Sequence, residues 1–332
     1  MVFPRKRVLG AIVSGCILTA LIPLATQAEN PIICTPDGCI TRLCAPRSCY
    51  DNTARSRTAV ATVRPNDGAI RTTRPTIRWN AIEGVTHYTI IISKPDERPI
   101  FAPTTVEASI ADIQEFSFPE NIPELEWKQT YIVRVVANGT DTELTGEFYV
   151  ISQERQLALE TAEHGRSTFE RFALYMELNL YTDSLKLLED ALAVDPQNPN
   201  YVLLLGDVYW KSQDLGNAEY QYERVLQQTQ EPMLLAQARV GLAKIALDNQ
   251  ESVQALLLLE QALADFQAAG NPLFVAQTLQ FIAETQRDQK NLEAAQQFYR
   301  QALAAYEALT PTVAFPEDVR NRFIAAIRRE LE

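Results

Sequence analysis

The sequence contains very little of the chemistry on which enzyme active sites usually depend. It has two histidines, His87 and His164, and they lie far apart along the chain. It has no glycine-rich phosphate-binding loop, no H-E-x-x-H metal motif and no nucleophile elbow. Acidic neighbours such as Glu189 and Asp190 occur in helical sequence, where carboxylates are ordinarily solvated. We therefore expect no enzymatic activity, no cofactor and no bound metal ion.

Positive charge is also scarce. The chain has 30 Lys and Arg against 42 Asp and Glu, which gives a formal net charge of -12. Removal of an N-terminal segment carrying Arg5, Lys6 and Arg7 would change this to -15. An acidic surface repels nucleic-acid phosphates and anionic lipid. We expect a protein or peptide partner, of basic or mixed charge, and no nucleic acid.

One long apolar run is present, and it stands at the N-terminus. Residues 8–24 are uncharged and mostly apolar, a basic cluster precedes them at 5–7, and small residues follow at 25–28. This order is typical of a secretory signal peptide. The apolar core of about 17 residues includes two glycines and a proline, and it lies at the lower limit for crossing a bilayer. We predict a cleaved signal peptide at 1–28, with the mature chain beginning near Glu29.

Two other fates of this segment stay open. It could be retained as a membrane anchor, or Cys16 could carry a lipid, because VSGC at 13–16 resembles a bacterial lipobox. Apolar sequence continues at 17–24, where a mature lipoprotein normally turns polar, and this favours cleavage. We predict an exported protein, periplasmic or secreted, with no membrane-spanning segment after cleavage. The alternative is a protein that is lipid-anchored through Cys16.

Four of the five cysteines recur at every fifth position after the predicted cleavage site: Cys34, Cys39, Cys44 and Cys49. An oxidising compartment favours disulfides, and three pairings are open. The outer spacers, TPDG and APRS, contain turn residues that bring their flanks together, so pairing across them is favoured. Four thiolates could also bind zinc, although zinc ligands are usually spaced more closely. We predict a Cys-rich segment at 29–57 with two disulfides.

Apolar and polar residues alternate between residues 58 and 151. Ile77 and Trp79 share one face of a short run, and Tyr131 and Val135 share one face of a later run. Turn signals containing Asp-Gly, Glu-Gly and Asn-Gly separate such runs. Several short strands at this spacing indicate an all-β sandwich.

This segment also resembles a known family. RPNDG at 64–68, RPTIRW at 74–79 and VTHY at 85–88 are similar to the opening of a bacterial fibronectin type III or immunoglobulin-like module. LEWKQTY at 125–131 resembles the approach to the tyrosine corner of that fold. The resemblance implies a sandwich fold and says almost nothing about function.

From residue 152 to 332 the apolar spacing changes to threes and fours, which is the helical period. An internal repeat is visible there, because Leu205, Leu242 and Ile282 head similar patterns and lie 37 and then 40 residues apart. The pattern VxxLGxxY, followed by AxxxY, over 202–222 resembles the tetratricopeptide repeat. The resemblance implies an all-α solenoid in which small residues let the two helices of each hairpin approach closely.

The chain is therefore interpreted as a multidomain protein: an all-β sandwich at 58–151, followed by a tetratricopeptide-type helical solenoid at 152–332. The solenoid is expected to contain about four hairpins, with a capping helix at its C-terminal end. We also expect the two domains to fold separately, with the division between residues 152 and 164, where a polar run follows the last strand pattern.

By resemblance to the family, the first helix of each hairpin would line a concave groove that holds a peptide or helix of a partner protein. The predicted partner-binding residues are Phe169, Asn200, Leu203, Asp207, Trp210, Lys211, Gln237, Val240, Lys244, Gln277, Gln280, Glu284 and Arg287. Trp210 is the leading candidate, because it follows Tyr209 and should point off the packed face of its helix. The alternative for these residues is that the apolar ones pack in the core and the charged ones are solvated.

The favoured functional hypothesis is an exported protein–protein interaction scaffold, or adaptor, that binds a partner segment in the groove. The alternative is a glycan- or cell-wall-binding module in which the β-sandwich binds and the solenoid acts as a spacer. Trp79 and Trp127 could stack on sugars in that case, although inward-facing tryptophans are commoner in sandwiches. Exposed aromatic residues on the sandwich would favour the glycan hypothesis.

Overall fold

The computed structural model describes residues 63–95, 98–111 and 113–332, together with the backbone of two short strands nearer the N-terminus. The predictions for the signal peptide, for Cys16, Cys44 and Cys49 and for most of 29–57 lie outside these residues. The two short strands, β1 (Cys34–Thr35) and β2 (Gly38–Cys39), pair antiparallel with Cys34 opposite Cys39. Their side chains are not described, so the disulfides stay a prediction.

A region of two β-sheets follows. Along several of its strands buried and more exposed residues alternate, as the alternation of apolar and polar residues in the sequence predicts. Its strands are β3 (Val63–Arg64), β4 (Gly68–Ile70), β5 (Thr76–Asn80), β6 (His87–Ser93), β7 (Thr104–Glu107), β8 (Ile113–Ser117), β9 (Gln129–Ala137) and β10 (Glu143–Val150). One sheet has the order β4-β10-β9-β6-β7 and the other the order β3-β5-β8. All neighbours pair antiparallel except β4 and β10, which run parallel.

Both sheets contribute to one hydrophobic core. Ile77 and Trp79 come from the smaller sheet, whereas Tyr88, Ile90 and Val133 come from the larger one, and all five are at most 2% exposed. The indole of Trp79 meets the ring of Tyr88 edge to face, with ring centres 5.2 Å apart. Trp79 is therefore a core residue and is not placed to stack on a sugar.

Tyr131 ties the start of β9 to the loop before it. Its ring is 1% exposed, and its hydroxyl oxygen accepts a hydrogen bond of 2.8 Å from the backbone N–H of Glu126. A buried tyrosine that bonds the backbone a few residues upstream is the geometry of a tyrosine corner. This hydrogen bond holds the loop at Glu126 against the start of β9.

Residues 153–331 form ten helices. They are α1 (Gln153–Glu163), α2 (Thr168–Glu177), α3 (Tyr181–Val194), α4 (Pro199–Lys211), α5 (Leu215–Gln228), α6 (Pro232–Asp248), α7 (Ser252–Ala268), α8 (Pro272–Asp288), α9 (Leu292–Ala308) and α10 (Glu317–Leu331). The described chain divides into two compact units. The first unit ends at Gln228, and the second unit runs from Thr229 to Glu332.

The repeat seen in the sequence is also present in the backbone. Four helical pairs, α2/α3, α4/α5, α6/α7 and α8/α9, each turn through a residue in the left-handed region: Asn179, Gln213, Gln250 and Lys290, with φ between 56° and 71°. Such a residue commonly ends a helix and lets the chain reverse. Three of the first helices, α4, α6 and α8, also begin with proline, which suits the first helical position. Each pair is thus a helical hairpin.

Gly206 allows the close approach of α4 and α5. A Cβ atom at this position would lie 2.6 Å from Cε1 of the Tyr222 ring, which is closer than real Cβ contacts. Tyr222 is fully buried, and its hydroxyl donates a hydrogen bond of 2.7 Å to Oδ1 of Asp207. The tyrosine therefore packs against the glycine of its own hairpin.

Gly206→Ala should destabilise the protein, although alanine is the better helix former. The new methyl group would press on a ring that is held by its hydrogen bond and has no room to move. We expect a loss of about 1 to 3 kcal/mol in unfolding free energy, measured by urea denaturation. The cost should largely disappear when Gly206→Ala is made in a Tyr222→Leu background. An equal cost in both backgrounds would contradict this account.

The sheet region is joined to the helices of its own unit by direct contacts. The backbone N–H of Ala69 donates to the carbonyl of Asn179, at 2.8 Å, in the turn between α2 and α3. The guanidinium of Arg64 pairs with Asp214 at 2.8 Å, and the Asn66 side chain donates to the carbonyl of Ser212 at 3.2 Å. These contacts cross the division predicted between residues 152 and 164.

Arg71 is the central charge of this junction. Its guanidinium forms ion pairs with Glu163 at the end of α1 and with Asp183 in α3, the latter at 2.6 Å, and lies 5.4 Å from the ring centre of Tyr175. Burial raises the pKa of Asp183 above its usual value even though Arg71 opposes the shift. The positive charge of Arg71 therefore offsets the negative charges of two carboxylates that are largely removed from water at this junction.

Candidate partner-binding face

The predicted partner-binding residues fall on the first helices of the hairpins, and the structure divides them by exposure. Six are buried, namely Leu203, Trp210, Val240, Lys244, Gln277 and Gln280. Seven are partly exposed, namely Phe169, Asn200, Asp207, Lys211, Gln237, Glu284 and Arg287. The middle stretches of α4, α6 and α8 are buried around most of their circumference. Each of these three helices is thus more enclosed than a helix that lines an open groove would be.

Trp210 differs from the expectation that it points away from the packed face. It is 8% exposed, and the ammonium of Lys211 lies 5.1 Å from the centre of its ring. Its neighbour Tyr209 is equally buried, because α4 carries apolar residues on more than one face. The alternative reading of Trp210 as a core residue is the one that its burial supports.

Other candidates in the first unit already take part in contacts within the chain. The ring of Phe169 stacks on Tyr201, with ring centres 5.4 Å apart. Asp207 accepts the hydrogen bond from Tyr222, and burial, with Asp207 as a smaller cause, raises the pKa of that tyrosine well above its usual value. Asn200 donates from its side chain to the side-chain oxygen of Asn198 at 3.2 Å, at the start of α4. These three residues therefore have a structural role as well.

In the second unit, polar side chains in the C-terminal half of α8 form a network of bonds with one another and with α9 and α10. Gln280 accepts a hydrogen bond from the hydroxyl of Tyr306 at 3.1 Å and donates to Glu284 at 2.8 Å. Arg287 pairs with Asp288 at 3.0 Å and with Glu330 of α10 at 2.9 Å. Burial raises the pKa of Glu284 above its usual value. Much of the hydrogen-bonding capacity of these three predicted residues is used inside the chain.

Sequence reasoning missed two members of this network, Tyr306 and Glu330. Tyr306 is fully buried on α9, and Glu330 lies on the last turns of α10, where the sequence predicts only a cap. The available signal was that Tyr306 repeats the spacing of Ala302 and Tyr299 along one helical face. Nothing in the local pattern of α10 indicates that Glu330 pairs with a residue 43 positions earlier.

Glu284→Gln should make the protein more stable at neutral pH, because it removes a buried charge and keeps an oxygen that can accept from Gln280. A raised carboxyl pKa in the folded state means that the native form binds its proton more readily than the unfolded form. The gain should therefore be fully present at neutral pH and shrink as the pH falls towards the ordinary Glu pKa of about 4.3. Urea unfolding at several pH values measures this. Glu260→Gln, at an exposed position of α7, is the control and should show no such trend; a gain independent of pH would contradict the assignment.

Among the described residues of the second unit, two glutamines have a buried side-chain oxygen that receives no hydrogen bond. The side-chain oxygens Oε1 of Gln237, on α6, and Gln277, on α8, are buried without a hydrogen-bond partner among the residues that the structure describes. Gln277 as a whole is 6% exposed. Buried acceptors are nearly always satisfied in native proteins, and an ordered water is the usual donor where no protein group supplies one.

Within 63–95, 98–111 and 113–332, no three His, Cys, Asp or Glu side chains are grouped so that they could hold a metal ion. No helix in that part of the chain combines the length and the apolar character needed to cross a membrane.

Comparison with known proteins gives neighbours of the fold and no family. No family model and no curated protein matches the chain. BtubC from P. vanneervenii is 17% identical, over 54% of this chain and 75% of its own, with a TM-score of 0.43. The MamA protein is 14% identical, over 49% of this chain and 88% of its own, with a TM-score of 0.33. A tetratricopeptide repeat protein from Parabacteroides merdae is 15% identical, over 53% of this chain and 80% of its own, with a TM-score of 0.27. All three TM-scores are below 0.5.

Proposed function

We propose that this chain is an exported polypeptide-binding scaffold, in which a fibronectin type III-like sandwich precedes a tetratricopeptide-type solenoid. The partner would lie along the first helices α6 and α8 of consecutive hairpins. The repeated hairpins, the left-handed residue that ends each first helix and the tyrosine corner at Tyr131 support the two fold types. Export rests on the apolar N-terminal sequence at 8–24.

The observation that carries the binding function is the polarity of buried positions on these helices. Lys244, Gln277 and Gln280 are between 6% and 8% exposed, although each lies in a helix whose other buried residues are mainly apolar. Polar groups cost free energy when they leave water, and apolar side chains of similar volume would give a more stable core. Positions that depart from the best packing are where functional sites are expected.

The glycan-binding alternative finds less support. Among the Phe, Trp and Tyr side chains described in the sheet region, that of Tyr149 is the most exposed, at 39%. Trp79 lies in the core, and Trp127 is partly buried against it. A sugar-binding surface usually needs aromatic faces that water can reach.

A peptide selection followed by footprinting tests the proposal. Random linear peptides displayed on phage would be selected on the full chain, and the strongest binder would be synthesised. Hydrogen–deuterium exchange should then show added protection in α6 and α8 and little change in the outer helices α7 and α9. Enrichment of no peptide would overturn the scaffold proposal, and protection confined to β5, β8 or the other strands would move the binding site to the sheet region.

A further inference from the structure

We propose that a cavity between α9 and α10 binds a carboxylate that carries an apolar group, with Arg320 as the residue that holds its negative charge. The cavity has a volume of about 390 Å³, which is in the range of small-ligand sites. It is lined by Glu307, Arg320, Asn321, Ile324, Ala325 and Arg328. All six residues belong to one unit of the chain, and none belongs to α6 or α8. The cavity therefore binds its ligand independently of the proposed scaffold.

Arg320 carries a positive charge that the chain compensates poorly. Its side chain is 19% exposed, and its one ion pair among the described residues is with Glu317, at 3.7 Å, whose side chain is 69% exposed. The similarly enclosed Arg64 and Arg71 hold carboxylate oxygens at 2.8 and 2.6 Å. A charge that has lost much of its water is costly unless an opposite charge lies close to it. A bound anion would supply that charge.

The hydrogen bonds of Arg320 fix its guanidinium without neutralising it. Nη1 donates to the backbone carbonyl of Leu309 at 2.8 Å, and Nη2 donates to Oδ1 of Asn321 at 3.4 Å. Both acceptors are uncharged. Each Nη carries two hydrogens, and no described residue accepts the second one from either atom. The bond to Leu309 thus holds the group in position, and a hydrogen on each Nη remains for a ligand.

The rest of the lining favours a single negative charge beside an apolar group. Arg328 pairs with Glu307 at 2.7 Å, so these two charges offset each other and the charge of Arg320 remains. Ile324 and Ala325 lie between the two arginines in the sequence of α10 and supply apolar surface. Arginine binds carboxylate and phosphate alike, but a phosphate dianion would exceed the charge of Arg320 and be repelled by Glu307. A monocarboxylate matches the lining better.

Solubility does not account for Arg320. The outer face of a terminal helix in a solenoid is expected to be polar, and Arg322 fits that role. Its side chain is largely in water and pairs with Asp318 of the same helix at 3.4 Å. Arg320 is enclosed instead, where a charge gains little from solvent. The two arginines of one helix therefore provide a site residue and a matched control.

The carboxylate could belong to a free carboxylic acid or to an acidic side chain of a protein, and two probes distinguish these sources. Hexanoate represents the first source, and the blocked peptide acetyl-Leu-Glu-Leu-amide represents the second. Ligand-observed NMR on the full chain should show a Kd of about 1 mM for at least one probe. Hexanol and acetyl-Leu-Gln-Leu-amide, which lack the charge, should bind at least about tenfold more weakly. Tighter binding of hexanoate assigns the site to small acids, and tighter binding of the peptide assigns it to a protein segment.

Variants locate the binding in the cavity. Arg320→Gln should weaken binding of the better probe about tenfold, whereas Arg322→Gln should leave it unchanged. Arg320→Gln also loses the bond to Leu309, so Ala325→Phe serves as a second variant. It fills the cavity at an exposed position, keeps Arg320, and should abolish binding with little change in melting temperature.

Several results would overturn the assignment. They are the absence of binding by both probes, equal binding of hexanol and hexanoate, and tighter binding of hexyl phosphate than of hexanoate. Equal losses in the two arginine variants, or full binding by the Ala325→Phe variant, would do the same. None of these results bears on the peptide selection, which tests the scaffold on α6 and α8.

Discussion

Arg71→Leu should lower the unfolding free energy of the protein by about 3 kcal/mol or more. The arginine is the shared partner of Glu163 and Asp183, whose side chains are 17% and 19% exposed at the junction of the sheet region with the helices. Removing one partner of a largely buried ion pair leaves charge without compensation, which typically costs about 3 to 5 kcal/mol. Here two carboxylates lose their cation together, and the ring of Tyr175 loses a contact as well.

Urea denaturation measures this loss, and Arg78→Leu is the matched control. Arg78 pairs with Glu115 across β5 and β8 at 2.9 Å, with side chains 51% and 47% exposed. Exposed ion pairs contribute about 0 to 1 kcal/mol to stability, so the control variant should lose little unfolding free energy. Similar losses in the two variants would show that the junction does not hold its charges as described. The double variant Asp183→Asn, Arg71→Leu should recover part of the loss, because one of the uncompensated carboxylates is gone.

Trp210→Ala should cost about 3 to 5 kcal/mol of unfolding free energy, which is the range for truncating a buried tryptophan. The ring is 8% exposed, and α4 is buried on the faces around it. The comparison variant is Tyr220→Ala on α5, where the tyrosine is 58% exposed and little stability should be lost. Melting temperature and peptide binding should be recorded together. A normally folded Trp210→Ala variant with strongly reduced peptide binding would contradict this prediction and show that Trp210 contacts the partner.

The order of a sheet region followed by helical hairpins could be predicted, because it depends on the spacing of apolar residues over short stretches of sequence. Period two buries Ile77 and Trp79 on one side of β5, and period 3.6 with repeat-spaced small residues gives hairpins such as α4/α5. The role of Gly206 followed in the same way, since only a residue without a side chain lets Tyr222 approach so closely. These features need no knowledge of which distant segments meet.

Local spacing could not predict the contacts between the sheet region and the helices, nor the burial of the predicted partner-binding residues. The partners of Arg71 lie 92 and 112 residues further along the chain, and no local pattern selects them from many acidic residues. Trp210 was expected to be exposed because periodicity identifies one packed face, whereas α4 is packed on several. The uninterrupted apolar run VLLLG at 202–206 was the signal that could have shown this. The network around Glu284 depends in the same way on Glu330, from the last helix.

The hydrogen bond between Ala69 and Asn179 also has a consequence for solubility. β4 is an edge strand: it pairs with β10, and Ala69 directs its N–H to the helical turn. Unpaired edges of sheets can recruit strands from other molecules, and natural proteins cover or shorten them. Gly68 makes the cover fit tightly, because a Cβ there would lie 2.7 Å from the carbonyl oxygen of Asn179. The turn between α2 and α3 therefore protects this edge of the sheet from intermolecular strand pairing.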